Sequence, residues 1–440
     1  VLYYPLDSWF IKTTALKDRM VELNKTINWK PESTGSGRFG SWLENLVDWN
    51  LSRSRYWGTP LPIWRTENGD AEKCIGSLAE LKTEIEKANQ VLGLTQSTEI
   101  PDLHRPYVDN VVLVSDSGEK MIRETDLIDV WFDSGAMPYA QWHYPFENQE
   151  IYKNSYPADF ISEGVDQTRG WFFTLHAIAV MLFDSVAFKN VVSTGLVLDK
   201  NGEKMSKSKG NTIDPFFALN EYGSDTIRWY MISNASPWDN LRFSWEKIYE
   251  DADGKRHSYD FKKVEKEKNF YDNMKLVEQY SDGIVEVRNK FFGTLHNTYN
   301  FFALYANLDK FKPTGLKNQA FTELDRWVLS KLQTTILEVE KALNEYEPTK
   351  AARTISDFVT EHLSNWYVRL SRKRFWVGEM NTDKQAAYET LFECLKVVSQ
   401  MMSPIAPFYA DFLYKSLIGS EGEEISVPLT NWQKADKRMI

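Results

Sequence analysis

DQTRGWFFTLHAIAVMLF, Asp166 to Phe183, has the length of a helix and carries apolar side chains on nearly every face. A helix of that kind has to be covered on more than one side, and this restricts the fold more than any other stretch of the chain. The flanking segments ADFISEG (Ala158 to Gly164) and NVVSTGLVL (Asn190 to Leu198) read as short buried strands, which completes a βαβ unit. In open sheets built from such units, ligands bind beyond the carboxyl ends of the strands, so Ser162 to Gln167 form the expected binding edge. DVWFDSG (Asp129 to Gly135) reads as a similar strand ending in a turn. SWLENLVDWN (Ser41 to Asn50) reads as a packed helix with Ser41 at its N-cap.

The pattern changes at Asp214-Pro215, an N-cap followed by proline at the first helical position. Helical periodicity then dominates to the end, and the segments from Ile284 onward predict long amphipathic helices packed as a bundle. Residues 246–275 mix both signs of charge with little periodicity and read as a solvated insertion or linker. The fold class is therefore α/β followed by all-α, in two or three domains for a chain of 440 residues.

With 62 acidic against 52 basic residues the net charge is −10, which excludes wholesale coating of nucleic acid and confines any anion site to a local patch. Cys74 and Cys394 lie far apart without a CxxC, so neither a disulfide framework nor a cysteine zinc site is supported, in keeping with a reducing cytoplasm. The most apolar long segment, Trp171 to Phe183, is interrupted by Thr174 and His176 and is too short to span a bilayer. The chain opens at Val1 without methionine, which points to a piece of something longer.

One local concentration of charge runs against the acidic whole. DKNGEKMSKSKGN (Asp199 to Asn211) holds Lys200, Lys204, Lys207 and Lys209, the hydroxyls of Ser206 and Ser208, and glycines 202 and 210. Flexible ammonium groups with hydroxyl and backbone N–H donors can wrap a polyphosphate, where charge on a transferring or departing phosphate needs cations most. Taken alone, a lysine-rich turn is more often the solvated tip of a hairpin.

The string KMSKS, Lys204 to Ser208, matches the second ATP motif of the class I aminoacyl-tRNA synthetases letter for letter, and its setting after two strands and before a helical domain is similar as well. EGVDQTRGWF (Glu163 to Phe172) resembles the isoleucine branch of that family; the valine and leucine branches carry other residues after Asp166-Gln167. DVWFDSG, the stretch from Gly37 to Trp64 and the stretch from Asn289 to Asn307 agree too, so the resemblance covers nearly the whole chain except residues 244–282. It implies the second half of a Rossmann-like catalytic domain over residues 1–213. A stem-contact region with a charged insertion would follow over 214–283, and an anticodon-binding helical bundle over 284–440.

The resemblance further implies a reaction in two steps, in which isoleucine and ATP give isoleucyl-adenylate and the aminoacyl group then passes to tRNA(Ile). Lys204 and Lys207 would stabilise the phosphates, with Met205, Ser206 and Ser208 completing the ATP loop. Trp131, Glu163, Gly164, Asp166, Gln167 and Trp171 would line the aminoacyl-adenylate site. ATP would arrive with Mg2+ as substrate, no metal would be held by this stretch of chain, and the protein would be a cytoplasmic monomer. In bottom-up terms, carboxylates at a strand end can pair an α-amino group and indoles can shape a dry pocket for a branched side chain.

Three features of the family are not found. The histidines at 104, 143, 176, 257, 296 and 362 never fall three apart, so its His-x-x-His motif is absent, and so is its editing domain, from which Val1 to Phe10 resembles the return point. The zinc-binding cysteines known from the far C-terminus of some members are absent as well. An internal piece of this kind is not expected to form adenylate unaided. In the helical half, Arg369, Arg372, Lys373 and Trp376 share one face of a helix, and Leu363, Trp366, Tyr367 and Leu370 share another. The first face would contact tRNA phosphates and stack unpaired bases while the second packs. Two alternatives stand beside the isoleucine reading, a valine or leucine synthetase and a tRNA-binding module without catalysis.

Overall fold

The computed structural model describes residues 7–440 except 210, 244, 261, 262, 264, 265, 268, 318 and 419–425. Gly210, most of the Val1 to Phe10 stretch and parts of the 244–282 segment lie outside the described residues. The chain divides into two compact bodies, Val1–Ser193 and Thr194–Ile440.

In chain order the first body contains α1 (Lys17–Asn24), β1 (Asn28–Lys30), α2 (Gly40–Glu44), β2 (Ile63–Thr66), β3 (Glu72–Cys74), α3 (Leu78–Leu92), β4 (Val112–Val114) and β5 (Lys120–Arg123). It continues with α4 (Val130–Ala140), β6 (Ile161–Gly164), α5 (Trp171–Phe183) and β7 (Asn190–Thr194). The expected βαβ unit is β6–α5–β7, and its sheet runs in the order β6–β7–β1 with β7 parallel to β1 and Val191 opposite Trp29. Every residue of α5 from Phe172 to Val180 is buried, as an all-round apolar helix requires. Trp29, Phe172 and Phe188 meet edge to face at centroid separations of 5.7, 6.3 and 6.0 Å. A separate antiparallel sheet in the order β3–β2–β5–β4, covered by α3, carries its own core around Trp64, Ile85 and Leu113.

Three local expectations are corrected here. No part of DVWFDSG is a strand: the extended pair Leu127–Ile128 precedes it, and Asp129 caps α4, accepting from the Trp131 N–H at 3.3 Å, because a short apolar run fits a buried helix as well as a strand. The SWLENLVDWN helix ends at Glu44, and Trp49–Asn50 pairs with Phe10–Ile11 as a strand. Ser41 is not its N-cap, since the chain enters α2 already wound in wide turns over Thr34–Phe39.

The second body begins with β8 (Val197–Leu198), α6 (Pro215–Tyr222), α7 (Ser224–Asn234) and β9 (Leu241–Arg242), and Asp214 caps α6 as its sequence predicts. The described residues of the segment read as a solvated insertion or linker contain β10 (Glu246–Glu250) and β11 (Arg256–Ser258), which with β12 (Lys275–Tyr280) form a sheet in the antiparallel order β11–β10–β12. Tyr249, Tyr259 and Tyr271 cluster on it, which explains how a strand-poor, charge-rich sequence holds a sheet: aromatic packing replaces the missing alternation.

The bundle then follows as α8 (Gly293–Leu308), α9 (Glu323–Asn344), α10 (Pro348–Asp357), α11 (Arg369–Phe375), α12 (Thr382–Met402) and α13 (Pro407–Ile418). Its interior contains the fully buried carboxylate of Asp325, which Arg374 grips with two bonds of 2.8 and 2.9 Å and to which Tyr367 donates at 2.7 Å. Burial alone would raise this carboxyl; the Arg374 and Tyr367 bonds outweigh it and hold it below the ordinary range. Both cysteines are free thiols, and among the described residues no helix is long and apolar enough to cross a membrane.

His176 sits fully buried in α5 and donates from Nε2 to the Met20 carbonyl at 2.9 Å, and desolvation pushes its pKa down to about 4. The folded state therefore resists a proton that the unfolded chain accepts near pH 6.5. Stability is unaffected by this group above pH 6.5 and falls by about 1.4 kcal/mol per pH unit from there towards pH 4. His176→Gln is expected to flatten that slope in urea midpoints measured between pH 7 and pH 4.

Candidate functional site

At the carboxyl end of β6 the chain turns through Val165–Arg169 into α5. Glu163 and Asp166 are exposed there, and the Asp166 carboxylate folds back over Gly164 so closely that a Cβ on Gly164 would meet it at 2.6 Å. Gln167 closes the turn: its Oε1 accepts from the Trp171 N–H at 2.9 Å and its Nε2 donates to Asp166 at 3.3 Å. Trp171 in turn donates from its indole to the Ser134 carbonyl of α4 at 2.9 Å. Trp131, 42% exposed, lies over Gly170, where a Cβ would come within 3.3 Å of its ring and 2.7 Å of Gln167 Oε1. Gly164, Asp166, Gln167 and Trp171 thus follow one another in direct contact, Trp131 adjoins them across Gly170, and Glu163 stands beside them at the strand end.

Two supports of this edge were missed by the sequence reading. Buried Asp129 receives the Trp49 indole at 3.0 Å and Arg53 at 2.8 Å, so the start of α4, and Trp131 with it, is pinned. Gly135 lets α4 approach α5, since a Cβ there would lie 3.0 Å from the Thr174 side chain. Asp133 adds a carboxyl that burial pushes above its ordinary range, although the Thr59 hydroxyl donates to it at 3.1 Å. An acidic, aromatic lip of this composition can pair an ammonium group and cover an apolar side chain.

In the second body the lysine loop is a hairpin organised by the buried carboxylate of Asp199. Its oxygens accept from the backbone N–H groups of Asn201 and Glu203 at 2.9 and 2.8 Å and from Asn211 Nδ2 at 2.9 Å. Burial would raise this carboxyl, but these donors hold it below the carboxylate range. Asn211 also accepts from the Ser206 N–H at 2.9 Å, so the two ends of the loop are tied across KMSKS. The four lysines then divide. Lys200 pairs with Glu246 at 2.7 Å and Lys209 with Glu203 at 3.1 Å, whereas Lys204 and Lys207 are exposed and have no ion-pair partner among the described residues. Met205 packs into the core beneath, and Ser206 and Ser208 share a hydroxyl bond of 3.1 Å. Neither Asp199 nor Asn211 was singled out from sequence, although the turn residues Asn201-Gly202, with Gly202 at φ 84°, mark the hairpin tip.

The basic stripe of the bundle needs one correction. Arg369, Arg372, Lys373 and Trp376 are exposed as expected, but so are Trp366 (57%) and Leu370 (58%), which were assigned to the packing face. Wide turns over Phe358–Val368 rotate the helix, and the buried side becomes Leu363, Tyr367, Ser371 and Phe375. The exposed face is thereby richer in aromatic surface than the two-face assignment allowed.

A parallel sheet with an acidic, aromatic edge at a strand end, a KMSKS hairpin and a helical bundle define a class I aminoacyl-tRNA synthetase. Residues 2–244 match the family described as tRNA synthetases class I (I, L, M and V), and residues 325–440 match the anticodon-binding domain of tRNA ligase. The chain belongs to the class I tRNA synthetase family.

Within it the chain is similar to isoleucine–tRNA ligases. It is 61% identical to that of Cytophaga hutchinsonii and 58% identical to that of Bacteroides fragilis, each over 100% of this chain and 37% of the relative. It is 45% identical to the Thermus thermophilus protein over 99% of this chain and 38% of that protein. The chain thus spans little more than a third of the length of these relatives.

Its fold resembles an Agrobacterium radiobacter K84 LeuRS solved as a ternary complex with tRNA and LeuAMS, at TM-score 0.59 and 17% identity over 90% of this chain and 43% of that one. It also resembles a Mycobacterium tuberculosis methionyl-tRNA synthetase bound by methionyl-adenylate, at TM-score 0.59 and 15% identity over 94% and 63%.

The crowding at Gly170 separates structure from chemistry. Gly170→Ala is expected to cost about 1–3 kcal/mol in urea denaturation by displacing Gln167 or Trp131. Lys207→Ala, on an exposed side chain without an ion-pair partner, is expected to change stability by less than about 0.5 kcal/mol.

Proposed function

We propose that a protein of the relatives' full length containing this chain is an isoleucine–tRNA ligase. In the first step a carboxylate oxygen of isoleucine attacks the α-phosphorus of ATP, the bond to the β-phosphate oxygen breaks, and pyrophosphate leaves. In the second, the terminal ribose hydroxyl of tRNA(Ile) attacks the activated carbonyl and AMP leaves. Lys204 and Lys207 meet the negative charge on the phosphates, with Lys207 the stronger contributor, and ATP brings its Mg2+ as part of the substrate. Glu163 and Asp166 hold the α-ammonium or the ribose hydroxyls, Gln167 and Gly164 shape the turn beneath the adenylate, and Trp131 and Trp171 enclose the branched side chain.

The observation that carries this reading is the division of charge in the hairpin. A merely solvated tip has no need to neutralise Lys200 and Lys209 while leaving the two lysines of KMSKS open. The domain reading accompanies it: residues 1–213 supply catalytic-domain surface, 214–283 the region next to the tRNA stem, and 284–440 the anticodon-binding helices. In the last of these Arg369, Arg372 and Lys373 contact phosphates and Trp376 stacks a base, with Trp366 as a further platform. By itself the chain is expected to bind tRNA without forming adenylate, since it has no His-x-x-His motif.

In the full-length protein, Lys207→Ala is expected to lower the rate of isoleucine-dependent ATP–pyrophosphate exchange about 100-fold while leaving the KM for isoleucine near its original value. An unchanged rate, or exchange that depends on valine or leucine instead, would reject the assignment. Replacing Arg369 and Lys373 together by glutamate is expected to weaken tRNA binding and to flatten its salt dependence by about one unit of log–log slope per lost phosphate contact.

A further inference from the structure

The sheet of β10, β11 and β12 has no part in the reaction as described so far, yet it touches the ATP loop at three places. Glu246, the first residue of β10, takes Lys200 Nζ on both oxygens at 2.8 and 2.7 Å, and Ser258 of β11 donates to the same carboxylate at 3.1 Å. Lys247 donates from Nζ to the Thr212 carbonyl at 2.8 Å. The Tyr259 hydroxyl donates to the carbonyl of Lys209, the residue that follows KMSKS. These contacts grip the loop before, directly after and a few residues beyond its two open cations. Beneath Met205 and Asn211 the space between loop and sheet, bounded also by Asp199, Trp245, Lys247 and Tyr259, is about 30 Å³, room for one water, whereas towards Glu203 and Arg256 the two part around an open cleft of about 750 Å³. The sheet is therefore packed against the loop at Met205 and Asn211, the part that its hydrogen bonds from Lys247 and Tyr259 hold.

The donors themselves are held. Lys247 is half-buried with its ammonium 5.9 Å from the Tyr259 ring centroid, and desolvation lowers its pKa. Tyr259 packs at 5.2 Å on Tyr271, whose hydroxyl donates to the Ser258 carbonyl at 2.9 Å and receives the Asp260 N–H at 3.0 Å. A loop that must present two ammonium groups to a polyphosphate loses binding energy if those groups have to be ordered when the ligand arrives. Anchors on its carbonyls order it beforehand without occupying the lysine side chains.

We propose that Tyr259 and Lys247 are positioning residues for the ATP loop, and that the β10–β12 sheet is the clamp that sets where Lys204 and Lys207 stand. The proposal rests on the reading of that loop as the ATP phosphate site. In the full-length protein, Tyr259→Phe and Lys247→Met are each expected to raise the KM for ATP in pyrophosphate exchange roughly five- to tenfold, the worth of one hydrogen bond. The KM for isoleucine and the melting temperature stay unchanged. Trypsin is expected to cut after Lys204 or Lys207 several-fold faster in both variants, and Lys247→Arg, which keeps the donor, restores most of the ATP affinity and the protection.

Parental KM for ATP and parental trypsin resistance in both variants would overturn the clamp, as would equal increases in the two KM values, which mark a general loss of structure. Lys207→Ala distinguishes the two ideas. If it abolishes exchange while the Tyr259 and Lys247 variants behave as the parent, the clamp alone is wrong. If it exchanges normally while those variants are cut faster, the sheet holds the loop but the loop is not the ATP site, and the proposal falls with the reading on which it rests.

Discussion

The burial of the helix from Trp171 to Phe183 governs the first body. Its run of buried residues can be covered only by strands on one side and another helix on the other, so both the parallel sheet and the close approach at Gly135 follow from it. Each fully buried phenylalanine or leucine there is worth about 1.5–3 kcal/mol, and none can rotate outward without giving that up. The turn that starts the helix is consequently rigid. Gln167, Trp171 and Trp131 inherit their positions from a hydrophobic constraint rather than from any contact with a ligand.

Charge governs the second body in a similar way. An acidic chain can leave chosen lysines open only if carboxylates are kept from them, and the hairpin achieves this by assigning its acids elsewhere: Asp199 to backbone and amide donors, Glu203 to Lys209, Glu246 to Lys200. In the bundle, Asp325 serves Arg374, which removes that arginine from the exposed stripe while Arg369, Arg372 and Lys373 remain available. In both places the cations proposed to function are the ones left over once the structural pairs are made. This selection lowers the self-energy of the folded state and raises the local positive potential at the same time.

The β10–β12 sheet and the wide turns over Phe358–Val368 illustrate a second kind of control, exerted through backbone geometry. The sheet contacts the lysine loop through its carbonyls, and the wide turns rotate a helix so that Trp366 and Leu370 face outward beside the arginines. Neither device changes the identity of a functional residue. Each changes where it points.

Much of this protein was legible in its sequence. The apolar part of the Asp166–Phe183 stretch dictated a covered helix between strands, although that helix starts only at Trp171 after a separate turn over Val165–Arg169; Asp214-Pro215 dictated a helix start, and KMSKS with EGVDQTRGWF marked the family and the candidate site, because these signals are local: periodicity, capping chemistry and literal motifs act within a few residues. What failed were readings that depended on distant partners. Asp129 became a cap because Trp49 and Arg53 converge on it, and the stripe helix turned because its wide turns follow the bundle core; the strands within the charge-rich 246–275 segment, held where three tyrosines pack together, gave no sequence signal at all. Which of the four loop lysines stay open was likewise decided by tertiary structure, since an ion pair such as Lys200 with Glu246 joins residues that only folding brings within reach. Sequence alone determined which chemical groups the chain possesses and the elements they ride on; the folded structure decided which of those groups are spent on one another and which remain free to act.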